Sequence, residues 1–253
     1  MKKMNKKLET IYKQIGNFCF DREDPIRAIR NMRNFSEGYD AFGIEDEELK
    51  VLRDRILEDY KLSPREIADL GVHLFKTGKY EFGTIAIMLL KKHRPQMDAY
   101  VRERVKEWLD FGVENWVHAD LLGSKILPVF FELELVDLQS FVSWRDSQSK
   151  WTRRAALSAL MFQKQALDPE EIMNFIQPLI SDRERVVQQA MGALLRDLWS
   201  KAPKPVEAFL LENQDSLDTY VLKSATMDMP KAKAKSFFPR QPRNKGAQRH
   251  RKQ

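Results

Sequence analysis

The sequence repeats itself with a period of about 35 residues, and this repeat constrains the fold more than any other feature. WTRRAALSAL (151–160) aligns with VVQQAMGALL (186–195), and the same offset places Trp151 on Trp116. One further step back reaches a similar segment that begins at Glu81. A helix-rich period of this length predicts an all-α fold, a right-handed α-solenoid of HEAT-like repeats with about six or seven helix pairs.

Helix starts are marked clearly in two of the predicted pairs. Ser63 is the expected N-cap of a helix, Pro64 stands at its first position, and Glu66 completes a capping box. Asp168 and Glu171 repeat this arrangement about 105 residues later. Each start is followed by apolar residues at intervals of three and four, which predicts a helix with one buried face.

The charge of the chain is unevenly distributed. Residues 229–253 contain nine Lys and Arg and no acid, whereas the remaining residues carry 34 basic and 37 acidic side chains. We therefore expect a single domain over 1–228 and a disordered basic tail over 229–253. The tail is expected either to contact nucleic acid without sequence preference or to aid solubility. A basic face on the body requires its charges to be segregated.

Composition excludes several classes of protein. The single cysteine, Cys19, cannot form a disulfide framework or a cysteine-based zinc site, and a small buried apolar role is expected for it. No apolar run is long enough to cross a bilayer, and the MKKMNKK start lacks the apolar stretch of a secretion signal. We therefore expect a cytoplasmic, membrane-free monomer. Phosphate-binding loops, dinucleotide fingerprints and metal motifs are missing, so no cofactor, nucleotide or metal is expected.

One carboxylate stands in an unusual place in this repeat. In the offset of 35, Asp120 of the segment ENWVHADLLG aligns with the apolar residues Ile85, Ala155 and Ala190. A carboxylate at such a position either faces a groove or needs a cationic partner. The candidate partners are Arg153, Arg154 and Lys125, and capping of a helix after ENW is a further alternative.

Several segments together resemble the DNA alkylation repair family of HEAT-like repeat DNA glycosylases, of the AlkC/AlkD type. The matching residues are the pair Trp116 and Asp120, Arg154 in WTRRAAL, and the segment QQAMGALLRD. The resemblance extends from about Val51 to Glu212. It implies a concave basic surface that cradles duplex DNA, with Asp120 near the sugar of the damaged nucleotide, Trp116 packed on that sugar and Arg154 close to the DNA.

This sequence departs from the family pattern at one position. A second tryptophan that packs on the deoxyribose in the family corresponds here to Ala193. Trp199 lies nearly two turns further along the same predicted helix, which is too far to replace it. The departure bears directly on whether hydrolysis is retained.

The residues are suited to cleavage of an N-glycosidic bond. Departure of the base leaves positive charge on the sugar, and a fixed carboxylate such as Asp120 stabilises that charge. The indole of Trp116 adds attraction for cationic or polarised groups. A base alkylated at a ring nitrogen is already cationic and leaves without a strong general acid. We therefore predict a glycosylase for N3- or N7-methylated purines in duplex DNA, without a deep base-flipping pocket, in which Asp120 and Trp116 are catalytic.

The partner of this predicted enzyme is duplex DNA bearing alkylated bases. Five cations are candidates for contacts with it, namely Arg154, Arg153, Lys125, Arg196 and Lys150. Two alternatives remain at this point. One is an inactive HEAT-repeat protein that recognises branched or distorted DNA, which Ala193 favours. The other is a HEAT scaffold for protein partners, whose DNA affinity would not fall with salt.

Overall fold

A computed structural model of the chain describes residues 4–163 and 167–238, and within them it is built of helices. The prediction of an all-α fold is confirmed, since the described residues form no β-strand beyond one isolated bridge between Asp40 and Lys79. No helix in these two ranges is long and apolar enough to span a membrane. The α-helices are α1 (Lys6–Phe20), α2 (Pro25–Met32), α3 (Asp46–Tyr60), α4 (Pro64–Phe75), α5 (Tyr80–Lys91), α6 (Ala99–Phe111), α7 (Trp116–Lys125), α8 (Leu127–Glu132), α9 (Leu138–Arg145), α10 (Lys150–Met161), α11 (Pro169–Ile176), α12 (Arg185–Lys201), α13 (Pro203–Glu212), α14 (Thr219–Ala225) and α15 (Lys231–Ser236).

The helices are arranged in two rows, as expected for an α-solenoid. Consecutive inner helices pack on one another, and those from α3 to α12 also contact an outer helix close to them in the chain. Apolar side chains between the rows form one continuous core. The inner row consists of α3, α5, α7, α10, α12 and α14, and the outer row of α1, α4, α6, α8 with α9, α11 and α13.

The expected helix starts are present, with one difference. Ser63 Oγ accepts a hydrogen bond from the Glu66 amide at 3.3 Å, and Glu66 Oε2 accepts one from the Ser63 amide at 2.9 Å, so this capping box is confirmed. Asp168 caps α11 by accepting from the Glu170 amide at 2.9 Å. No capping box forms there, so the role predicted for Glu171 is wrong.

The N-caps of the inner helices correct the repeat alignment at α7. Asn115 caps α7 and Ser149 caps α10, and these two residues lie 34 positions apart. Trp116 is therefore equivalent to Lys150, and its alignment with Trp151 at an offset of 35 is wrong by one residue. The shift changes the interpretation of every residue of α7.

In the corrected register, Asp120 no longer stands in an apolar position. It is the fifth residue of its helix, as are Thr84 of α5, Arg154 of α10 and Gln189 of α12. The buried residues Ile85, Ala155 and Ala190 are each the sixth, where α7 has Leu121. Polar side chains thus occupy one equivalent position along four neighbouring inner helices.

Close packing of α7 on α10 depends on Gly123. A Cβ at this position would lie 2.6 Å from Ser158 Cβ and 2.7 Å from the Ala155 carbonyl oxygen, both of α10. The absence of a side chain lets the two helices approach closely. This approach brings Ser158 within reach of the carboxylate of Asp120.

The packed part of the chain continues beyond residue 228. Lys231–Ser236 form the short helix α15, and the side chains of Met229 and Phe237 are buried in the core. Helical structure and burial therefore reach into the segment for which composition predicts a disordered tail. The rest of that segment, residues 239–253, lies outside the described residues.

Candidate functional site

Asp120 lies on the exposed side of α7 and forms a bidentate ion pair with Arg154 of α10. Arg154 Nε donates to Asp120 Oδ1 at 2.9 Å, and Nη2 donates to Oδ2 at 2.6 Å. Ser158 Oγ donates to Oδ1 at 2.8 Å. Two planar groups in this geometry hold each other in a fixed orientation. The cationic partner expected for Asp120 is therefore Arg154.

Arg154 is held on its other side as well. Its Nη1 donates to the Val186 carbonyl at 2.7 Å and to Gln189 Oε1 at 3.3 Å, both on α12. Its side chain is 10% exposed, whereas that of Asp120 is 34% exposed. Of the two charged groups, the carboxylate is therefore the one that solvent or a ligand reaches more easily. The guanidinium links three inner helices.

The hydrogen bonds distinguish the two oxygens of Asp120. Oδ1 accepts from both Arg154 and Ser158, which uses two acceptor positions. Oδ2 accepts from Arg154 alone among the contacts of the described residues. Because a carboxylate oxygen accepts about two hydrogen bonds, Oδ2 retains capacity for a further donor.

Trp116 begins α7 one turn before Asp120, and its side chain forms part of the surface. The residue is 37% exposed, and the Arg154 guanidinium carbon lies 6.0 Å from its ring centroid. Its ring also lies 5.9 Å from that of Phe35. Phe35 in turn stacks on Tyr39 at 4.3 Å and contacts Tyr80 edge-on at 5.7 Å. Trp116 is thus the exposed end of an aromatic cluster.

The segment 34–40 connects this cluster to two inner helices. The Trp116 indole N–H donates to the Asn34 carbonyl at 3.2 Å, and Lys150 Nζ of α10 lies 2.8 Å from Glu37 Oε1. Gly38 adopts a φ of +70°, and a Cβ there would lie 1.8 Å from the Glu114 carbonyl oxygen. Glycine is therefore required where this segment crosses the start of α7.

His118 is buried next to the aromatic cluster that ends at Trp116. Its ring is buried and stacks on Tyr80 at a centroid distance of 4.9 Å. Asn115 Nδ2 lies 3.0 Å from Nδ1, and Thr84 Oγ1 lies 3.0 Å from Nε2, so both ring nitrogens have a partner. Desolvation by burial lowers the pKa of His118 to about 3. The ring is therefore neutral and has a structural role.

The other predicted DNA contacts lie elsewhere. Arg153 forms an ion pair with Asp182 at 2.6 Å and is 15% exposed. The ammonium of Lys125 lies 5.5 Å from the ring centroid of Phe162 at the far end of α7. Arg196 Nε lies 3.8 Å from Asp228 Oδ2.

Of the seven predicted site residues, the structure brings together Asp120, Arg154 and Trp116. Lys150 lies at the edge of this group, where Glu37 and Glu184 raise its pKa. The ammonium thus stays protonated, and neighbouring carboxylates compensate its positive charge.

Ala193 stands where the family has its second tryptophan. Ala193 is half-buried on α12, one turn after Gln189 and one turn before Arg196. The Trp199 indole N–H donates to Glu207 Oε1 of α13 at 2.9 Å, so this side chain faces the outer row. Trp199 does not replace the missing ring, as the sequence predicted.

Sequence reasoning missed several residues that contact the site. Ser158 and Gln189 hold the two members of the ion pair, and Phe35 packs against Trp116. Gln189 could have been found from the helix starts, because Arg154 and Gln189 are both the fifth residue of their helices. Ser158 could have been found because it lies one turn after Arg154 on the same helix face. The position of Phe35 has no such signal, since 81 residues separate it from Trp116.

The sequence and the fold of the chain are both similar to those of known proteins. The family model described as DNA alkylation repair enzyme matches residues 21–229. Among solved structures, a predicted DNA alkylation repair enzyme from Enterococcus faecalis superposes with a TM-score of 0.70 at 18% sequence identity, over 83% of this chain and 98% of that chain. At this identity the likeness concerns the fold. No curated protein matched the sequence.

Proposed function

The chain belongs to the DNA alkylation repair enzyme family, and on this premise we propose that it is a DNA N-glycosylase acting on alkylated purines in duplex DNA. The observation that carries the proposal is the exposed carboxylate of Asp120, fixed by Arg154 and Ser158 beside the exposed ring of Trp116. An oriented carboxylate next to a flat apolar surface suits a reaction that builds positive charge on a sugar.

The roles of the individual atoms follow from their contacts. Oδ2 of Asp120 has acceptor capacity left, so we assign it to the side of the sugar or of the attacking water. Arg154 and Ser158 position the carboxylate before substrate binds, and this preorganisation avoids a reorientation cost during the reaction. The Trp116 ring packs on the sugar.

Arg154 acts in this mechanism mainly through Asp120. Its guanidinium is committed to the carboxylate, the Val186 carbonyl and Gln189, and its side chain is 10% exposed. We therefore propose a positioning role for it, with DNA contacts supplied by more exposed cations. This assignment differs from the direct approach to DNA that the family resemblance implies.

A second candidate function is recognition of distorted DNA without hydrolysis. Ala193 favours it, because the missing ring leaves one side of the proposed sugar site without an aromatic wall. The ion pair between Asp120 and Arg154 also favours recognition without hydrolysis. A paired carboxylate stabilises developing positive charge less than an unpaired one does. The two candidates differ in one measurable property, the release of free base.

The test is base release from methylated duplex DNA, measured for wild type and Asp120→Asn at matched DNA occupancy. We expect the substitution to lower the rate by about 10²- to 10³-fold, the effect typical of losing one preorganised electrostatic group. Asp182→Asn is the matched control. It breaks the other bidentate carboxylate pair of α10, with Arg153, away from Trp116.

The outcomes separate the two functions. Release by wild type and Asp182→Asn, but not by Asp120→Asn, supports the glycosylase. Full release by Asp120→Asn refutes the role of this carboxylate. DNA binding without release by wild type identifies the recognition protein, and thermal melts of both variants show whether each one is folded.

A further inference from the structure

A cavity of about 490 Å³ opens between α3, α5 and α7, next to the candidate site. Val117 and Leu121 line it, and they flank Asp120 on the exposed side of α7. The cavity is within the size range of small-molecule sites in proteins. None of the residues assigned to the proposed reaction lines it.

Part of the lining of this cavity is apolar. Ile87 and Met88 of α5 and Val117 and Leu121 of α7 contribute its apolar side chains, beside Tyr80 and Thr84 of α5. The four side chains offer a surface of aliphatic groups and one thioether, with no charge. Burial of a flat, weakly polar group against this surface is favourable because apolar area leaves water.

The rim of the same cavity is strongly basic. Five basic side chains and one acidic side chain, Asp46, line the cavity, whereas acidic residues slightly outnumber basic ones over residues 1–228. The charges of the body are therefore segregated toward this opening. The five cations are Lys50, Arg53, Lys91, Lys92 and Lys125.

Three of the rim cations are available to an anion. Lys50 pairs with Glu47, and Arg53 pairs with Asp54. Lys91, Lys92 and Lys125 form no ion pair with any residue in the described ranges. All three lie at the ends of α5 and α7 and belong to the lining of the cavity. Lysine is a common ligand for phosphate in proteins.

We propose that this cavity binds one unstacked nucleotide of a DNA strand, with its base against Ile87, Met88 and Leu121 and its phosphate at Lys91, Lys92 and Lys125. An apolar surface beside these three cations matches a nucleoside phosphate, which is flat and weakly polar at one end and anionic at the other. The inference rests on the proposed function only in taking DNA as the ligand. It goes beyond the grip on backbone and sugar that the family resemblance implies.

The experiment compares two duplexes of the same sequence, one fully paired and one with a single extra 2-aminopurine nucleotide as a bulge. Fluorescence anisotropy measures the affinity of each, and 2-aminopurine emission reports whether the extra base is stacked. We expect wild type to bind the bulged duplex about tenfold more tightly, the ratio that 1.4 kcal/mol of added burial provides. Emission rises on binding, because the base is held apart from its neighbours.

Two variants test the cavity itself. Met88→Trp fills the apolar part and is expected to abolish the preference for the bulge while binding to paired DNA is retained. Val51→Trp, on an exposed position of α3 outside the cavity, is the matched control and keeps the preference. Lys91→Gln combined with Lys92→Gln weakens bulge binding more than Lys6→Gln combined with Lys204→Gln, which also removes two charges, both exposed and on the outer row.

Three results overturn the proposal: equal affinity of wild type for the two duplexes, an unchanged bulge preference in Met88→Trp, and binding of free 2-aminopurine deoxynucleoside monophosphate as tight as that of the bulged duplex. The last result assigns the cavity to free nucleotides. None of these measurements involves base release. Failure of the cavity proposal is therefore distinguishable from failure of the glycosylase proposal.

Discussion

Replacing Gly123 by alanine tests whether close packing of α7 on α10 builds the site. The added Cβ would lie 2.6 Å from Ser158 Cβ and 2.7 Å from the Ala155 carbonyl oxygen. The second contact is with backbone, so the clash is relieved only when one helix moves. Overpacking of this kind costs about 1–3 kcal/mol, and alanine returns up to about 1 kcal/mol through its better helix propensity.

The net expectation for Gly123→Ala is a loss of about 1–2 kcal/mol in the free energy of unfolding. In a chain of this size that lowers Tm by about 2–8 °C. Helix separation also moves Ser158 away from Asp120, so base release is expected to fall if the proposed mechanism is correct. Urea unfolding with an unchanged m-value isolates the stability effect.

Gly16 provides the matched control, because it also lies within a helix. A Cβ there meets no atom closer than Phe82 Cζ at 3.8 Å, which is an ordinary contact. Gly16→Ala is therefore expected to stabilise the protein by about 0.5–1 kcal/mol. If Gly123→Ala were as stable as wild type while Gly16→Ala gained stability, the argument that α7 and α10 need a glycine at their contact would be refuted.

Two further predictions concern buried titratable groups. The pKa of His118 is about 3 in the folded protein and 6.5 when unperturbed, so the stability linked to its neutral form is complete above pH 6.5 and is lost as pH falls toward 3. We expect about 2 kcal/mol of unfolding free energy to be lost between pH 6.5 and pH 5. In urea titrations, the unfolding free energy of His118→Gln should depend less steeply on pH than that of wild type. An equal slope in both proteins would contradict the prediction. Burial raises the pKa of Cys19 to about 12, so its thiol should react with a disulfide reagent only as fast as the protein unfolds; rapid labelling of native protein would show the opposite.

The sequence predicts the helices well because the signals that start them are local. The capping box at Ser63 and the N-cap at Asp168 are formed by residues within three positions of one another. Such hydrogen bonds depend little on the rest of the fold. The all-α class and the two-row arrangement follow from these starts and from the spacing of apolar residues.

The register of α7 could not be obtained by matching similar residues. Trp116 and Trp151 invite alignment because tryptophan is rare, yet they occupy the first and second positions of their helices. The spacing of the N-caps, from Asn115 to Ser149, gives the correct register, since a cap fixes where a helix begins. The contacts of segment 34–40 lie further out of reach, because they join residues more than 80 positions apart.

The corrected register changes what Asp120 implies about function. As the fifth residue of its helix, it belongs with Thr84, Arg154 and Gln189 to a series of polar side chains, so a carboxylate there is not by itself a sign of catalysis. Its neighbour is what distinguishes it. Asp120 keeps one oxygen available one turn from the exposed ring of Trp116, whereas Arg154 of the same series is 10% exposed and is held by contacts with α7 and α12. Uneven exposure alone is no sign of function, since the bidentate pair of Arg145 and Asp146 is 13% and 51% exposed. The remaining acceptor position next to an exposed indole is the reason for proposing that Asp120 meets a substrate.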